Sequence, residues 1–167
     1  MGGSFGGSIK LTGESQYRQA LQQISLNLRE LTSQMKVTTA SFASNSNSMS
    51  ALAAKSSDLT AKLSLQKEKL ATLKEQYASM SQQYASNTEK HNNLLKRYEE
   101  EKEKLRYIGE TLGTTSKEYK EQEKVVADLG EQVVRSTKNQ DDNAKSMTNM
   151  GIRINNAEAD VRKTENA

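Results

Sequence analysis

The stretch LSLQKEKLATLKEQYASM, residues 63–80, decides the fold because its apolar residues recur every three or four positions. When Tyr77 takes heptad position a and Met80 position d, Leu63, Leu70 and Leu73 fall on the same line. A mean repeat of 3.5 residues is typical of a left-handed coiled coil, whereas a lone amphipathic helix follows a repeat of 3.6. The stretch therefore predicts a helix that buries a narrow apolar seam.

The same register extends from Tyr17 to Thr164 without an insertion. Of its 43 a and d positions, 30 are apolar, although only 34% of the whole chain is hydrophobic. We therefore predict that these positions form a self-association seam between copies of the chain. The residues assigned to this seam are Leu21, Ile24, Leu28, Leu31, Leu52, Leu59, Leu63, Leu70, Leu73, Tyr77, Met80, Tyr84, Leu94, Tyr98, Leu105, Ile108, Leu112, Val126, Leu129, Val133, Ile154 and Val161.

The composition of the 167 residues also favours long helices. The hydrophobic share of 34% lies below the roughly 45–50% of ordinary globular domains, so a core several layers thick cannot be filled. Proline, which breaks helices, is absent. The predicted fold class is all-α: an elongated coiled coil in three or four helical segments, with a helical hairpin as the alternative.

Weak places in the seam predict the boundaries between segments. Residues 1–13 read as a flexible glycine-rich leader that contains a short strand, and 14–108 as coiled-coil helices with a weak point near 43–50. Residues 109–116 read as a connector or turn, and 117–167 as coiled-coil helices that continue beyond the chain end. Asp141 or Asp142 could cap a new helix after the polar stretch 138–143, and Gly151 is a further expected interruption.

A turn at 109–116 would fold the second half of the chain back on the first as an antiparallel hairpin. Leu112 stays on the seam through this connector, which argues mildly for a continuous helix. The sequence leaves both arrangements open.

The chain offers few residues for chemistry. His91 is its only histidine and lies at an a position, where it is either a metal ligand or pH switch or, as we favour, a polar seam residue that fixes register. There is no cysteine, so neither a disulfide nor a thiolate site can form. We expect no enzyme activity, no cofactor and no metal.

Charges of both signs are interleaved, and the net charge is +3. The dense run at 89–106 favours a solvated helix face with weak pairs such as Glu100 with Lys104, rather than a nucleic-acid site. Tyr77, Tyr84, Tyr98 and Tyr119 all occupy a positions, which favours packing in a seam of three or more strands over base stacking. No apolar run approaches the roughly 18 residues of a membrane span, so we expect no stable membrane insertion.

The N-terminal sequence resembles that of a known family. Residues 8–21, SIKLTGESQYRQAL, lead into LREL at 28–31 and SQMKV at 33–37. This opening is similar to that of tail tape measure proteins from phages and prophages of Gram-positive bacteria, which begin with a short glycine-bearing strand followed by a helix. The Lys- and Glu-rich repeats such as 63–70 and the connector-like segment 109–120 extend the resemblance along the chain.

The resemblance implies a structural ruler that sets tail length and templates assembly of the tail tube. It implies a parallel homo-oligomer, with a trimer favoured, and tail-tube, tail-tip or baseplate and tail-assembly chaperone proteins as partners. The protein would be made in the host cytoplasm and reside in the lumen of the mature virion tail. Because members of the family are usually much longer, we expect this chain to be the N-terminal part of a longer protein.

The alternative function is a cellular coiled-coil tether or scaffold with a partner at one end and no tail tube. Neighbouring tail-tube and baseplate genes would favour the ruler, and their absence would favour the tether. A membrane-surface helix is disfavoured because the apolar stripe is narrow and contains polar residues.

Overall fold

Three helices account for most of residues 14–167, the part of the chain that the computed structural model describes. Helix α1 spans Glu14–Ser41, α2 spans Met49–Leu112 and α3 spans Lys117–Glu165. No strand occurs within these residues, so the predicted all-α class is confirmed. The predicted leader at 1–13 and its short strand lie outside the described residues.

Side-chain caps explain where α2 and α3 begin. The backbone N–H of Ala51 donates to Ser48 Oγ over 3.2 Å, and the N–H of Tyr119 donates to Ser116 Oγ over 3.1 Å. Each serine thereby satisfies one of the backbone donors that a helix start leaves unpaired. The connector before α3 begins with Gly113, whose φ of +83° ends α2 in the left-handed conformation that glycine adopts readily.

Helix α3 runs without a break through two places where the sequence predicts interruptions. The stretch 138–143 and Gly151 both lie inside it, and neither aspartate at 141 or 142 caps a new helix. A glycine costs only about 1 kcal/mol in a helix interior. Met150, next to Gly151, is buried, so packing of its apolar side chain offsets this cost. Helix α2 likewise continues through Gly109 to Leu112.

The described chain divides into two units. The first, which we call the hairpin unit, is Met80–Met147. In it the second part of α2 pairs antiparallel with the first part of α3, because Thr88 contacts Gln140 whereas Glu101 contacts Gln122. The hairpin alternative therefore describes this unit, and its turn is at 113–116.

The second unit, the three-helix unit, contains residues 14–79 together with Thr148–Ala167. Here α2 and α3 are also antiparallel, since Lys67 pairs with Glu165 and Lys74 with Glu158. Helix α1 is the third member, and a shallow groove is lined by residues of all three helices, including Leu21, Gln76 and Arg153. The buried apolar core consists of Leu21, Ile24, Ala51, Leu73, Met150, Ala157 and Val161.

Candidate self-association seam

The seam residues of the three-helix unit are covered by the chain's own helices to different degrees. Leu21, Ile24, Leu73 and Val161 are buried, and Leu73 has no exposed surface at all. A second group is half-buried, namely Leu28, Leu31, Leu59, Leu63, Leu70 and Ile154. Leu52 and Tyr77 are exposed, with 50% and 37% of their surface accessible. The seam residues of this unit are therefore buried to unequal extents.

In the hairpin unit the d positions are the deepest. Met80, Leu94 and Leu129 are buried there. The seam residues that remain half-buried are Tyr84, Tyr98, Leu105, Ile108, Val126 and Val133, and Leu112 is 58% exposed at the end of α2. That these partly covered residues also contact another copy of the chain stays a prediction.

Among the described residues, two buried ones lie outside the a and d positions of the heptad pattern. Ala51 and Gln76 occupy positions c and g, yet both are less than 9% exposed. Gln76 lines the same groove as Arg18 and Leu21 of α1, so α1 covers a face of α2 that the heptad pattern leaves polar. The small side chain of Ala51 is compatible with burial, but nothing in the sequence periodicity distinguishes Gln76 from an exposed glutamine.

Polar contacts connect α2 with α3 across the hairpin unit. The side-chain amide of Gln122 donates to Glu101 Oε2 at 2.6 Å and to the Glu101 backbone oxygen at 3.1 Å. Hydrogen bonds from Lys104 and Gln122 lower the pKa of Glu101 below its usual range. The hydroxyl of Thr88 donates to Gln140 Oε1 over 3.3 Å. These contacts are compatible with one antiparallel register between the two helices.

His91 takes part in this set of contacts. Its Nδ1 lies 2.9 Å from Ser136 Oγ on α3, and both side chains are half-buried. Residues 14–167 contain no group of three or more His, Asp or Glu side chains placed to hold a metal ion. The described contact of His91 is thus with the facing helix, as a seam residue would make.

Two tyrosines pack against glycines of the opposite helix in the hairpin unit. A Cβ added to Gly130 would lie 3.5 Å from Tyr98 Cε2, and one added to Gly109 would lie 3.1 Å from Tyr119 Cε2. Each tyrosine occupies an a position and each glycine an e position. The arrangement is reciprocal, because α2 supplies the tyrosine of one pair and the glycine of the other. The Lys102 ammonium lies 5.1 Å from the centroid of the Tyr98 ring, within reach of a cation–π interaction.

The charge run at 89–106 forms pairs along one helix. Lys104 Nζ lies 2.6 Å from Glu101 Oε1, not beside Glu100 as the spacing suggested, and Glu100 lies 3.9 Å from Lys96. Arg106 contacts both Glu103 and Glu110, which raises its pKa further. Exposed pairs of this kind each contribute little to stability.

In the three-helix unit, ion pairs connect α2 with α3. Lys67 Nζ lies 2.9 Å from Glu165 Oε1, and Lys74 Nζ lies 2.8 Å from Glu158 Oε1. The hydrogen bond from Lys74 holds the pKa of Glu158 below its ordinary value. All four residues occupy e positions. From Lys74 to Lys67 the chain moves seven residues toward the start of α2, and from Glu158 to Glu165 it moves seven toward the end of α3, as antiparallel helices require.

Three buried polar atoms of the described chain have no hydrogen-bond partner within it: Gln66 Oε1, Gln76 Oε1 and Asn143 Nδ2. Gln66 and Asn143 are d residues of the heptad pattern. A polar residue in a seam reduces stability but restricts the registers that the helices can adopt.

Comparison with known proteins identifies no relative. No family model, no curated protein and no solved structure matches the chain. Within residues 14–167, none of the helices is both long and apolar enough to cross a membrane.

Proposed function

We propose that this chain is a structural ruler and scaffold inside a phage tail tube, where it sets tail length and templates tube assembly. It would be made in the host cytoplasm and occupy the tail lumen of the mature virion. Support comes from two sources: the resemblance of residues 8–37 to tape measure proteins, and helices of 64 and 49 residues that carry one heptad register.

The observation that carries the proposal is the recurrence of buried residues along these helices. In α2 the buried d residues are Gln66, Leu73, Met80 and Leu94, and in α3 they are Leu129, Asn143, Met150, Ala157 and Thr164. An α-helix rises 1.5 Å per residue, so the 64 residues of α2 correspond to about 96 Å. A sequence built from such repeats converts residue number directly into length.

The same seam can be buried in two ways. Within each unit, α2 and α3 bury it against each other, whereas an extended chain would have to bury it against other copies. We propose that copies in the tail are extended and parallel, with three as the favoured number. The chain would open at the connector 113–116, and the seam residues would exchange contacts within a chain for contacts between chains.

The partners follow from this role. Tail-tube subunits would polymerise around the oligomer until its length is covered, tail-tip or baseplate proteins would hold one end, and assembly chaperones would cover the exposed parts before the tube forms. The interleaved charges and the net charge of +3 favour a protein lumen rather than binding to nucleic acid.

In-frame deletions in the phage that encodes the protein test the proposal. One removes residues 74–94 of α2 and another removes 138–158 of α3. The first segment begins at Lys74 and the second ends at Glu158, and these two residues form an ion pair. Each deletion removes three heptads and should shorten the tail by about 30 Å, and the double deletion by about 60 Å. Tail lengths are measured by electron microscopy of purified particles.

The control replaces 74–94 with a segment of equal length that keeps the a and d residues but shuffles the others. It should leave tail length unchanged. Tails of normal length in the deletion strains would contradict the ruler and favour the cellular tether. A double deletion that shortens tails by only about 30 Å would instead show that the hairpin persists inside the tube.

A further inference from the structure

The turn end of the hairpin unit contains one contact that depends on the absence of a side chain. A Cβ added to Gly109 of α2 would lie 3.1 Å from Cε2 and 3.4 Å from Cδ2 of the Tyr119 ring on α3. The first distance is shorter than an ordinary van der Waals contact, so the ring would have to shift if residue 109 carried a side chain. The second tyrosine–glycine pair is less tight, because a Cβ added to Gly130 would lie 3.5 Å from Tyr98, at an ordinary contact distance.

The connector places the Tyr119 ring against this glycine. The backbone N–H of Tyr119 donates to Ser116 Oγ over 3.1 Å, and the Ser116 hydroxyl donates to the Gly113 carbonyl oxygen over 2.9 Å. The first turn of α3 is thus tied to the residue whose φ of +83° ends α2. Thr114 closes the same side, with its methyl carbon 3.8 Å from a Cβ at position 109. The turn and the ring therefore form one local structure at the closed end of the hairpin.

This contact can exist only while the hairpin is closed. Residues 109 and 119 are ten positions apart, which in a continuous helix would separate them by about 15 Å along the axis. A glycine inside a helix is unfavourable relative to alanine in either arrangement, because it loses more backbone freedom. Packing of the tyrosine ring offsets that cost in the closed hairpin, whereas an extended chain offers no such compensation. The pair therefore biases the choice between the two arrangements toward the hairpin.

We propose that Gly109 and Tyr119 form a latch, which holds the two helices of the hairpin unit together at the turn and sets how often they separate. Separation would free Leu105 and Val126, half-buried seam residues that line the same groove as the tyrosines, for contact with another chain. The extended form that we propose for the tail would require the latch to open. The latch itself is a property of the isolated chain, so its test does not rest on the role in the tail.

Thiol labelling of the full chain measures how often the helices separate. Because the chain has no cysteine, Leu129→Cys provides a single thiol, in place of a leucine of the hairpin unit that is 5% exposed. A buried thiol reacts only when the structure around it opens, so its labelling rate reports the open fraction. Val161→Cys, at a buried position of the three-helix unit, reports the opening of that unit. Each latch variant is combined with each of these two thiols.

Gly109→Leu should accelerate labelling of the Leu129→Cys thiol about tenfold or more, equivalent to about 1.4 kcal/mol, and leave that of Val161→Cys within about twofold. The leucine takes the space of the Tyr119 ring without weakening α2, since leucine is a good helix former. Gly151→Leu is the matched control, because nothing lies within 4 Å of a Cβ added there, and it should accelerate neither reaction. Circular dichroism checks that the variants remain helical.

Tyr119→Ala removes the ring without adding bulk, so it decides the matter should Gly109→Leu fail to fold. It should also accelerate labelling of the thiol in the hairpin unit. Substitutions at residues in contact have coupled effects, so the double variant should react about threefold or more slowly than the product of the two single effects predicts. Unchanged labelling in either folded single variant, equal acceleration of both thiols, or single effects that simply multiply would overturn the proposal.

Discussion

Glycines decide two different features at the scale of single residues. Gly113 ends α2 because its φ of +83° is a conformation that costs a residue with a side chain roughly 1–2 kcal/mol. Gly109 and Gly130 instead leave room inside helices for Tyr119 and Tyr98 of the facing helix. The turn and the close approach beside it thus depend on a small number of positions without side chains.

Gly113→Ala and Gly151→Ala should change stability in opposite directions. Alanine at 113 must adopt the left-handed conformation, so we expect a loss of about 1 kcal/mol in the free energy of unfolding. Gly151 lies inside α3 with nothing within 4 Å of an added Cβ, so alanine there should add about 0.5–1 kcal/mol. Urea denaturation followed by circular dichroism measures both. A stabilising Gly113→Ala would show that the connector adopts another conformation.

Asn143→Leu should stabilise the fold while reducing its specificity. The side chain is 5% exposed and its Nδ2 has no partner within residues 14–167, so leucine removes an unsatisfied donor and buries apolar surface. We expect a gain of roughly 1–2 kcal/mol in the free energy of unfolding, together with more self-association in sedimentation experiments. Asn155→Leu, at an exposed site of α3, is the control and should change neither. A less stable Asn143→Leu would contradict the proposed cost of the amide.

At the scale of the elements, α2 and α3 contact each other through residues of opposite or complementary character. Glu101 accepts from Gln122, His91 contacts Ser136, and the lysines of α2 face glutamates of α3. Exposed ion pairs add little stability, but like charges in the same places would oppose the antiparallel arrangement. The pairs therefore select the partner and direction of each helix more than they strengthen it.

Lys74→Gln should raise the pKa of Glu158 back toward its ordinary value of 4.5. In the folded chain that pKa is lowered, chiefly by the hydrogen bond from Lys74 and then by its charge. A lowered pKa contributes stability that is present above pH 4.5 and is lost as the pH falls through the lowered value. NMR titration of the carboxyl carbon measures the shift. Lys117→Gln removes a pair within α3 and should leave Glu158 unchanged.

At the scale of the whole molecule, the question is whether the seam is buried within one chain or between chains. Leu73 and Leu94 are fully or almost fully covered by the chain itself. Leu52, Tyr77 and Leu112 are exposed members of the same seam. The proposed oligomer would bury all of them, at the cost of opening the antiparallel contacts between α2 and α3.

The melting temperature of the isolated chain should rise with protein concentration. An oligomer that is folded only when associated gains stability by mass action, whereas a chain folded on itself does not. Circular dichroism melts over about a hundredfold range of concentration, with sedimentation equilibrium at the same concentrations, measure the effect. A melting temperature independent of concentration would contradict the proposed homo-oligomer and favour the closed hairpin as the form in solution.

Much of the fold follows from the seven-residue pattern. The repeat identifies Leu73, Met80, Leu94, Leu129 and Val161 as residues that become buried, because an α-helix places them on one face whatever covers that face. The absence of proline and the glycine at 113 are also visible in the sequence. The burial of Gln76 beneath α1 cannot be read from the sequence, since a polar g residue carries no local sign that a third helix will lie over it.

The heptad repeat alone establishes that long helices form and which edge of each is apolar, because periodicity is a property of one chain segment. It cannot distinguish parallel copies from a chain folded back on itself, since either arrangement buries the same edge. The tertiary structure decides that α2 and α3 are antiparallel within each unit, through the turn at Gly113 and the contacts of Gln122 with Glu101 and of Lys74 with Glu158. These contacts join residues 21 and 84 positions apart, a distance over which local sequence preferences have no influence.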